Sequence, residues 1–384
     1  MIKVPFGPQH PALKEPENFT FEIDGDIVVA VKPRIGYNHR GIEKAFEQRT
    51  YIQNLYLAER ICGICSDAHT TCYTQAVESL LGVEAPPRAR YIRVIVAELE
   101  RIHSHSLWLG IAAHEIGFDT LFLYYWRDRE VVMDLLESIS GNRVHYAMNT
   151  IGGVRRDISP EKASMIKKGL DFLEERMKRY IEMMKTDQTV LKRTEGVGVL
   201  KRRDAIDLCA VGPTLRASGV KNDVRADDPY AAYDEIPFNV VTHDGGDVLS
   251  RILVRCEEIL ESIEITRYAL DHMPEGMTRV RVPMAVPPGE TVSRVEAPRG
   301  ELIHYAKSNG TARPERYKVR SPTLGNIPAL CKMLIGCHVA DIPIILAGID
   351  PCFACMDRMT FIDLSNGDEW VWTMQELRRR YRND

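Results

Sequence analysis

Apolar and polar positions alternate at the start of the chain and then settle into long helical runs. Phe19–Ile23 and Ile27–Lys32 alternate about the turn Asp24-Gly25-Asp26, which predicts a β-hairpin. Ahead of it, Gly7-Pro8-Gln9-His10-Pro11 reads as an extended loop, because each proline disfavours helix at the residue before it. From Glu43 to Ala58 the apolar residues Ala45, Phe46, Ile52, Leu55 and Tyr56 recur at roughly helical spacing. Longer helical patterns cover Arg90–Gly117, Asp128–Ile139 (stopped by Gly141), Pro160–Thr186 and Asp247–Asp271. Ser159 is the expected N-cap of the third, with Pro160 in its first turn. Between Val280 and Val319 the pattern changes to short strands punctuated by Pro and Gly. Asn326–His338 returns to helix, and Asp341–Ala347 is a short apolar segment. The expected architecture is α+β, a long-helix bundle core with small β-sheets and hairpins at its edges.

This pattern divides the chain into an N-terminal β region (1–42), a helical core (43–279), a C-terminal α+β region (280–358) and a C-terminal extension (359–384). In the extension, Met359–Leu364 and Glu369–Trp372 are expected to pair across Ser365-Asn366-Gly367-Asp368. Thr373 and Glu376 then form a capping-box pattern that opens a short helix. Composition narrows the function classes. With 384 residues, 45% apolar, 27% charged and a net charge of −4, the chain reads as globular and not as a nucleic-acid binder. No apolar run reaches the roughly 20 residues that span a bilayer, and no signal peptide is visible. The chain itself is therefore expected to be cytoplasmic; if it meets a membrane, it does so peripherally, through partners.

Nine cysteines in a chain of this size do not form a secreted disulfide framework. Four of them form two CxxC pairs, Cys62/Cys65 and Cys352/Cys355, about 290 residues apart. Each pair places two thiolates within reach of one ion, so together they offer a four-thiolate site for a soft or borderline metal. Three readings stay open on spacing alone: structural zinc, a redox pair, and a catalytic metal. Arg60, His69, Asp350 and Arg358 crowd the two motifs. A closed structural site needs no such company, whereas a site that moves protons does.

The motifs Arg60-Ile61-Cys62-Gly63-Ile64-Cys65 with His69, and Asp350-Pro351-Cys352-x-x-Cys355, resemble the two signatures of nickel–iron hydrogenase large subunits. Glu296-Ala297-Pro298-Arg299-Gly300-Glu301 resembles the internal motif of the same family. Three further segments resemble the membrane-bound, energy-converting branch (the Ech and formate hydrogenlyase type), which is homologous to the 49 kDa quinone-site subunit of complex I. They are Phe6–Pro11, His39–Lys44 and Glu98–His105.

The resemblance implies a centre of nickel and iron, the iron also carrying carbon monoxide and cyanide. It implies that Cys62 and Cys352 are terminal nickel ligands and that Cys65 and Cys355 bridge to iron. It implies Cys352 as the base that accepts the proton from dihydrogen, Arg299 as a fixed charge with Asp350 beside it, and Glu43 as the proton relay. His69 and Pro298 are assigned to the cofactor pocket, His69 as a donor to the bridging sulfur. Implied partners are an iron–sulfur small subunit, further hydrophilic iron–sulfur subunits, antiporter-like membrane subunits, ferredoxin, and a maturation peptidase that cuts between Arg358 and Met359. Arg358 stands where many soluble hydrogenases carry a histidine, which favours the membrane-bound branch. The alternative is a metal-free, complex I-like quinone-site subunit, a class in which the cysteine pairs are lost.

Overall fold

The computed structural model describes residues 1–356 and Arg358, and in the C-terminal extension only Phe361, Ile362, Glu369, Trp370, Glu376 and Arg379. A three-stranded antiparallel sheet opens the chain, β1 (Ile2–Phe6), β2 (Asn18–Asp24) and β3 (Ile27–Arg34), in the order β1-β2-β3. The expected hairpin is β2–β3. The Gly7–Pro11 loop joins β1 to β2 and continues through Lys14, Glu15 and Glu17.

The helix expected over Glu43–Ala58 is two helices, α1 (Ile42–Gln48) and α2 (Tyr51–Glu59). Thr50 interrupts it by forming a capping box with Gln53, which satisfies orphan amides at the start of α2 and turns the chain. A helix absent from the sequence reading, α3 (Ser66–Leu81), starts directly after Cys65 and stops at Gly82 in the left-handed conformation. Glu100 caps its start from a neighbouring helix, accepting from Asp67 N at 2.7 Å and Ala68 N at 3.0 Å.

That neighbour is α4 (Pro87–Glu115), which is buried on every face and forms the axis of the molecule. Against it pack α5 (Asp119–Ser140) and, later in the chain after several short helical turns, α7 (Val248–His272), while α6 (Pro160–Thr186) packs on the outer side of these two. Ser159 and Asp247 cap α6 and α7 by accepting from Lys162 N and Ser250 N. The second half adds a three-stranded antiparallel sheet, β4 (Gly289–Ala297), β5 (Gly300–Ser308) and β6 (Pro314–Arg320). Two helices follow it, α8 (Pro322–Leu334) and α9 (Ile342–Gly348). The α+β expectation holds. In the extension, Phe361–Ile362 pairs antiparallel with Glu369–Trp370; the expected turn and the capping-box residue Thr373 lie outside the described residues.

A buried ionic network ties the β4–β5 hairpin to the helices. Arg216 donates to Glu258 and Glu296, both at 2.8 Å, and Arg101 donates to the Glu296 carbonyl at 2.7 Å. Arg225 donates to Glu98 at 3.0 Å. Removing one member of such a network leaves a buried charge unpaired, which costs about 3–5 kcal/mol. The network thereby fixes the hairpin turn, Pro298-Arg299. Gly300, at φ 122°, lies against Gly212; a Cβ on Gly300 would come within 2.7 Å of the Gly212 nitrogen. Among the described residues no helix is long and apolar enough to cross a membrane.

Candidate metal centre

The two CxxC pairs, 290 residues apart in sequence, meet in the interior. Cys62 Sγ lies 3.4 Å from Cys352 Sγ, Cys352 Sγ 2.9 Å from Cys355 Sγ, and Cys65 Sγ 3.8 Å from Cys355 Sγ. All four are buried, free thiols. Metal–thiolate bonds of about 2.3 Å set sulfurs roughly 3.8 Å apart around one ion, so the cluster has the size of a metal cage.

Backbone amides and a helix N-terminus favour anions here. Ile64 N and Cys65 N donate to Cys62 Sγ at 3.2 and 3.3 Å, and α3 begins at Ser66. Hydrogen bonds from the other three cysteines outweigh burial and push the Cys62 thiol well below the ordinary range. Cys352 N donates to Thr323 Oγ1 at 3.0 Å, which fixes the second loop from α8. Arg40 joins the two loops, donating to the carbonyls of Arg60, Ile61 and Ala354 at 2.9, 2.6 and 2.9 Å.

Arg299 sits over the cage on the hairpin turn. It donates to the Asp350 carbonyl at 2.8 Å, the Asp350 carboxylate at 2.7 Å and Ser104 Oγ at 3.3 Å. Asp350 presents both acceptors because its backbone is left-handed, φ 53°, a conformation Asp tolerates better than most residues. Burial opposes the Arg299 cation. Asp350 and the sulfurs of Cys352, Cys65 and Cys62 overcome it, so its proton is held well above the usual range. Arg299 is therefore a permanent positive charge beside the cysteine sulfurs.

Two carboxylates flank the cage. Glu15, from the β1–β2 loop, accepts from Ala354 N at 2.9 Å and has an oxygen 4.0 Å from Cys352 Sγ. Burial raises its pKa against the pull of the Ala354 amide. Glu43 lies on the other flank. It is ion-paired with Lys318 and with Arg358, the latter at 3.3 Å, and accepts from Val319 N at 3.0 Å. A cavity of about 10 Å³, room for about one water, separates Glu43 from Cys355. A larger cavity of about 430 Å³ reaches the centre from outside. Its walls are apolar, with Leu13, Ile64, Trp108, Phe122, Trp126 and Phe353, and it also touches Glu15, Arg299 and Asp350.

Residues 115–284 and 278–358 match the family "Respiratory-chain NADH dehydrogenase, 49 Kd subunit", and residues 40–110 match "Nickel-dependent hydrogenase". The chain is 42% identical to the membrane-bound hydrogenase subunit alpha of Pyrococcus furiosus, over 98% of this chain and 91% of that protein. This likeness decides the family. The chain belongs to the nickel–iron hydrogenase large subunits of the membrane-bound branch, homologous to the 49 kDa respiratory subunit. It is also 39% identical to one of the NADH-quinone oxidoreductase subunits of Rhizobium etli, over 92% of this chain and 94% of that one. A chain of the membrane-bound sulfane sulfur reductase, an archaeal respiratory membrane complex, superposes with a TM-score of 0.88 at 34% identity, covering 93% of this chain and 98% of that chain.

Of the residues named from sequence, the fold gathers Cys62, Cys65, Cys352, Cys355, Arg299, Asp350 and His69 at one point. Pro298 is buried in the turn beside Arg299. A ring nitrogen of His69 lies within 4.8 Å of the sulfurs of Cys65 and Cys355. His103 and His105 point apart, to Arg129 and to Glu258. The sequence reading missed Glu15, Arg40 and Thr323. Glu15 follows the quoted Gln9-His10-Pro11 loop, yet nothing local ties it to a cysteine 337 positions away.

Proposed function

We propose that the chain is the catalytic large subunit of a membrane-bound, energy-converting nickel–iron hydrogenase. In this reading it splits or forms dihydrogen reversibly, coupled to ferredoxin-type electron transfer and ion translocation. The observation that carries it is the convergence of four buried cysteine sulfurs beneath the Arg299–Asp350 pair. The donor set fits the centre: four soft thiolates in a buried cage, with polar groups and a cavity on one side, unlike a closed structural site.

Cys62 and Cys352 would hold nickel, and Cys65 and Cys355 would bridge nickel to iron. When bound, the centre would supply the redox chemistry of dihydrogen. The protein's part is proton handling and charge. The Cys352 sulfur accepts the proton, and Glu15, 4.0 Å away, takes it onward. Arg299 stays protonated and stabilises negative charge over the cage. Glu15 thus fills the relay position that the resemblance assigned to Glu43. Glu43, with its cavity beside Cys355, serves the opposite flank. Electrons need an exit from this buried point, so an iron–sulfur small subunit is expected to bind near the CxxC loops. Further iron–sulfur and membrane subunits place the complex on the cytoplasmic side of the membrane.

A second reading, a quinone-site subunit without metal, is favoured by one observation. The 430 Å³ apolar cavity is far larger than dihydrogen requires and has the size of an organic-ligand pocket. Exchange between dihydrogen and deuterated water by the native complex tests the first reading. Exchange that is lost in Cys352→Ser supports it. A complex that reduces quinone but catalyses no exchange supports the second.

A further inference from the structure

A row of three buried side chains leads away from the cage across three elements. His69 lies on α3 one turn after Cys65, His304 on the central strand β5, and Tyr317 on β6. His69 Nδ1 is 3.1 Å from His304 Nε2, and His304 Nδ1 is 2.7 Å from the Tyr317 hydroxyl. All three are fully buried. His69 Nε2 has no hydrogen-bond partner among the described residues, although a ring nitrogen of His69 and the sulfurs of Cys65 and Cys355 lie within 4.8 Å of one another. Because Nδ1 is taken by His304, the nitrogen left for the sulfurs is Nε2.

We propose that Tyr317 and His304 are positioning residues that fix the tautomer of His69, so that its Nε2 carries the hydrogen and donates to the sulfurs of Cys65 and Cys355. The direction of the row follows from its far end. A neutral phenol has one hydrogen, and the Tyr317 hydroxyl has one partner among the described residues, His304 Nδ1. It therefore donates there. His304 must then carry its own hydrogen on Nε2 and donate to His69 Nδ1, which places the His69 hydrogen on Nε2. The near end is compatible with the same order, because metal-bound sulfur accepts a hydrogen bond, but the far end sets it. The opposite order would bury the Tyr317 hydrogen unpaired and turn a lone pair of His69 toward sulfur.

Burial keeps the outer two members neutral. It pushes the Tyr317 hydroxyl well above its ordinary range and His304 well below its own. The ring of Tyr317 stacks on Phe46, with centroids 4.3 Å apart, which holds the hydroxyl oxygen beside His304. The donation to metal-bound sulfur rests on the proposed function; the tautomer itself does not.

Solid-state ¹⁵N NMR of the full-length chain labelled at histidine tests this, before and after metal loading, because protonated and bare ring nitrogens resonate in separate ranges. The signals lost in His69→Asn identify the residue. The expected result is a protonated Nε2 and a bare Nδ1 in the wild type. Tyr317→Phe should move the His69 hydrogen toward Nδ1. His304→Gln should preserve the wild-type pattern, because the glutamine carbonyl accepts from Tyr317 while its amide donates to His69. A hydrogen on His69 Nδ1 in the wild-type chain, or an unchanged pattern in Tyr317→Phe, overturns the proposal. Metal analysis of the same samples separates this outcome from a failure of the nickel–iron reading.

Discussion

At the scale of single residues, the proton path gives the sharpest test. Glu15 and Glu43 flank the same cage, Glu15 with an oxygen 4.0 Å from Cys352 Sγ and Glu43 on a small cavity beside Cys355. Glu15→Gln should lower turnover by about 10²-fold or more while nickel and iron stay bound, because an amide keeps the shape but cannot relay a proton. Glu43→Gln should keep at least a tenth of the activity. The reverse order, measured with metal content in both variants, would return the relay to Glu43. Glu17, two residues on, offers an independent check on the loop. Its carboxylate oxygens are buried, and burial raises its pKa to about 8 against the pull of the Tyr37 and Gly36 backbone. A carboxyl raised on folding contributes stability that is full below its unfolded pKa, near 4.5, and is lost as pH rises toward 8. Glu17→Gln should therefore flatten the fall in denaturation midpoint between those pH values. An identical slope in both proteins would remove Glu17 from the loop's pH response.

At the scale of elements, the hairpin turn and the two cysteine loops are the parts that place chemistry. Gly300→Ala puts a side chain at φ 122° against the Gly212 backbone. The expected loss is about 3 kcal/mol, read from the denaturant midpoint; an unchanged midpoint would show that the turn can move. Much of this framework was legible in the sequence. The β2–β3 hairpin and α6 follow from alternation, Ser159 and Pro160, and both cysteine pairs were visible as a long-range site. Other parts were hidden for physical reasons. Nearly every position of Ser66–Glu78 is buried, including Asp67, His69, Thr70, Thr71 and Thr74, so α3 shows no apolar stripe to read. Thr50 and Gln53 split the first helix through a side-chain cap that periodicity does not register. The start of α5 at Asp119, nine residues before the expected Asp128, was masked by the aromatic run Phe122–Trp126. Glu15, Arg40 and His304 reach the site only through tertiary contacts, which one sequence does not contain.

At the scale of the whole molecule, the proposed function requires other chains and a processed C-terminus. Arg358, which pairs with Glu43, lies only three residues after Cys355, a proposed ligand. The cleavage proposed between Arg358 and Met359 would leave this anchor in place and remove residues 359–384. Intact mass of active native enzyme checks it: loss of the 26-residue tail (359–384) is expected, and full-length, nickel-loaded, fully active protein would refute it. The central claim is that the two CxxC pairs hold nickel and iron together. Its most direct test is metal analysis of the native complex beside Cys62→Ser and Cys352→Ser complexes, with Cys209→Ser as the control that leaves the cage intact. The expected result is one nickel per complex in the wild type and the control, with iron in excess of nickel because the iron–sulfur subunits add their own, and nickel lost in both cage variants. Zinc in the cage, or a native complex with no metal bound by these cysteines, would contradict it.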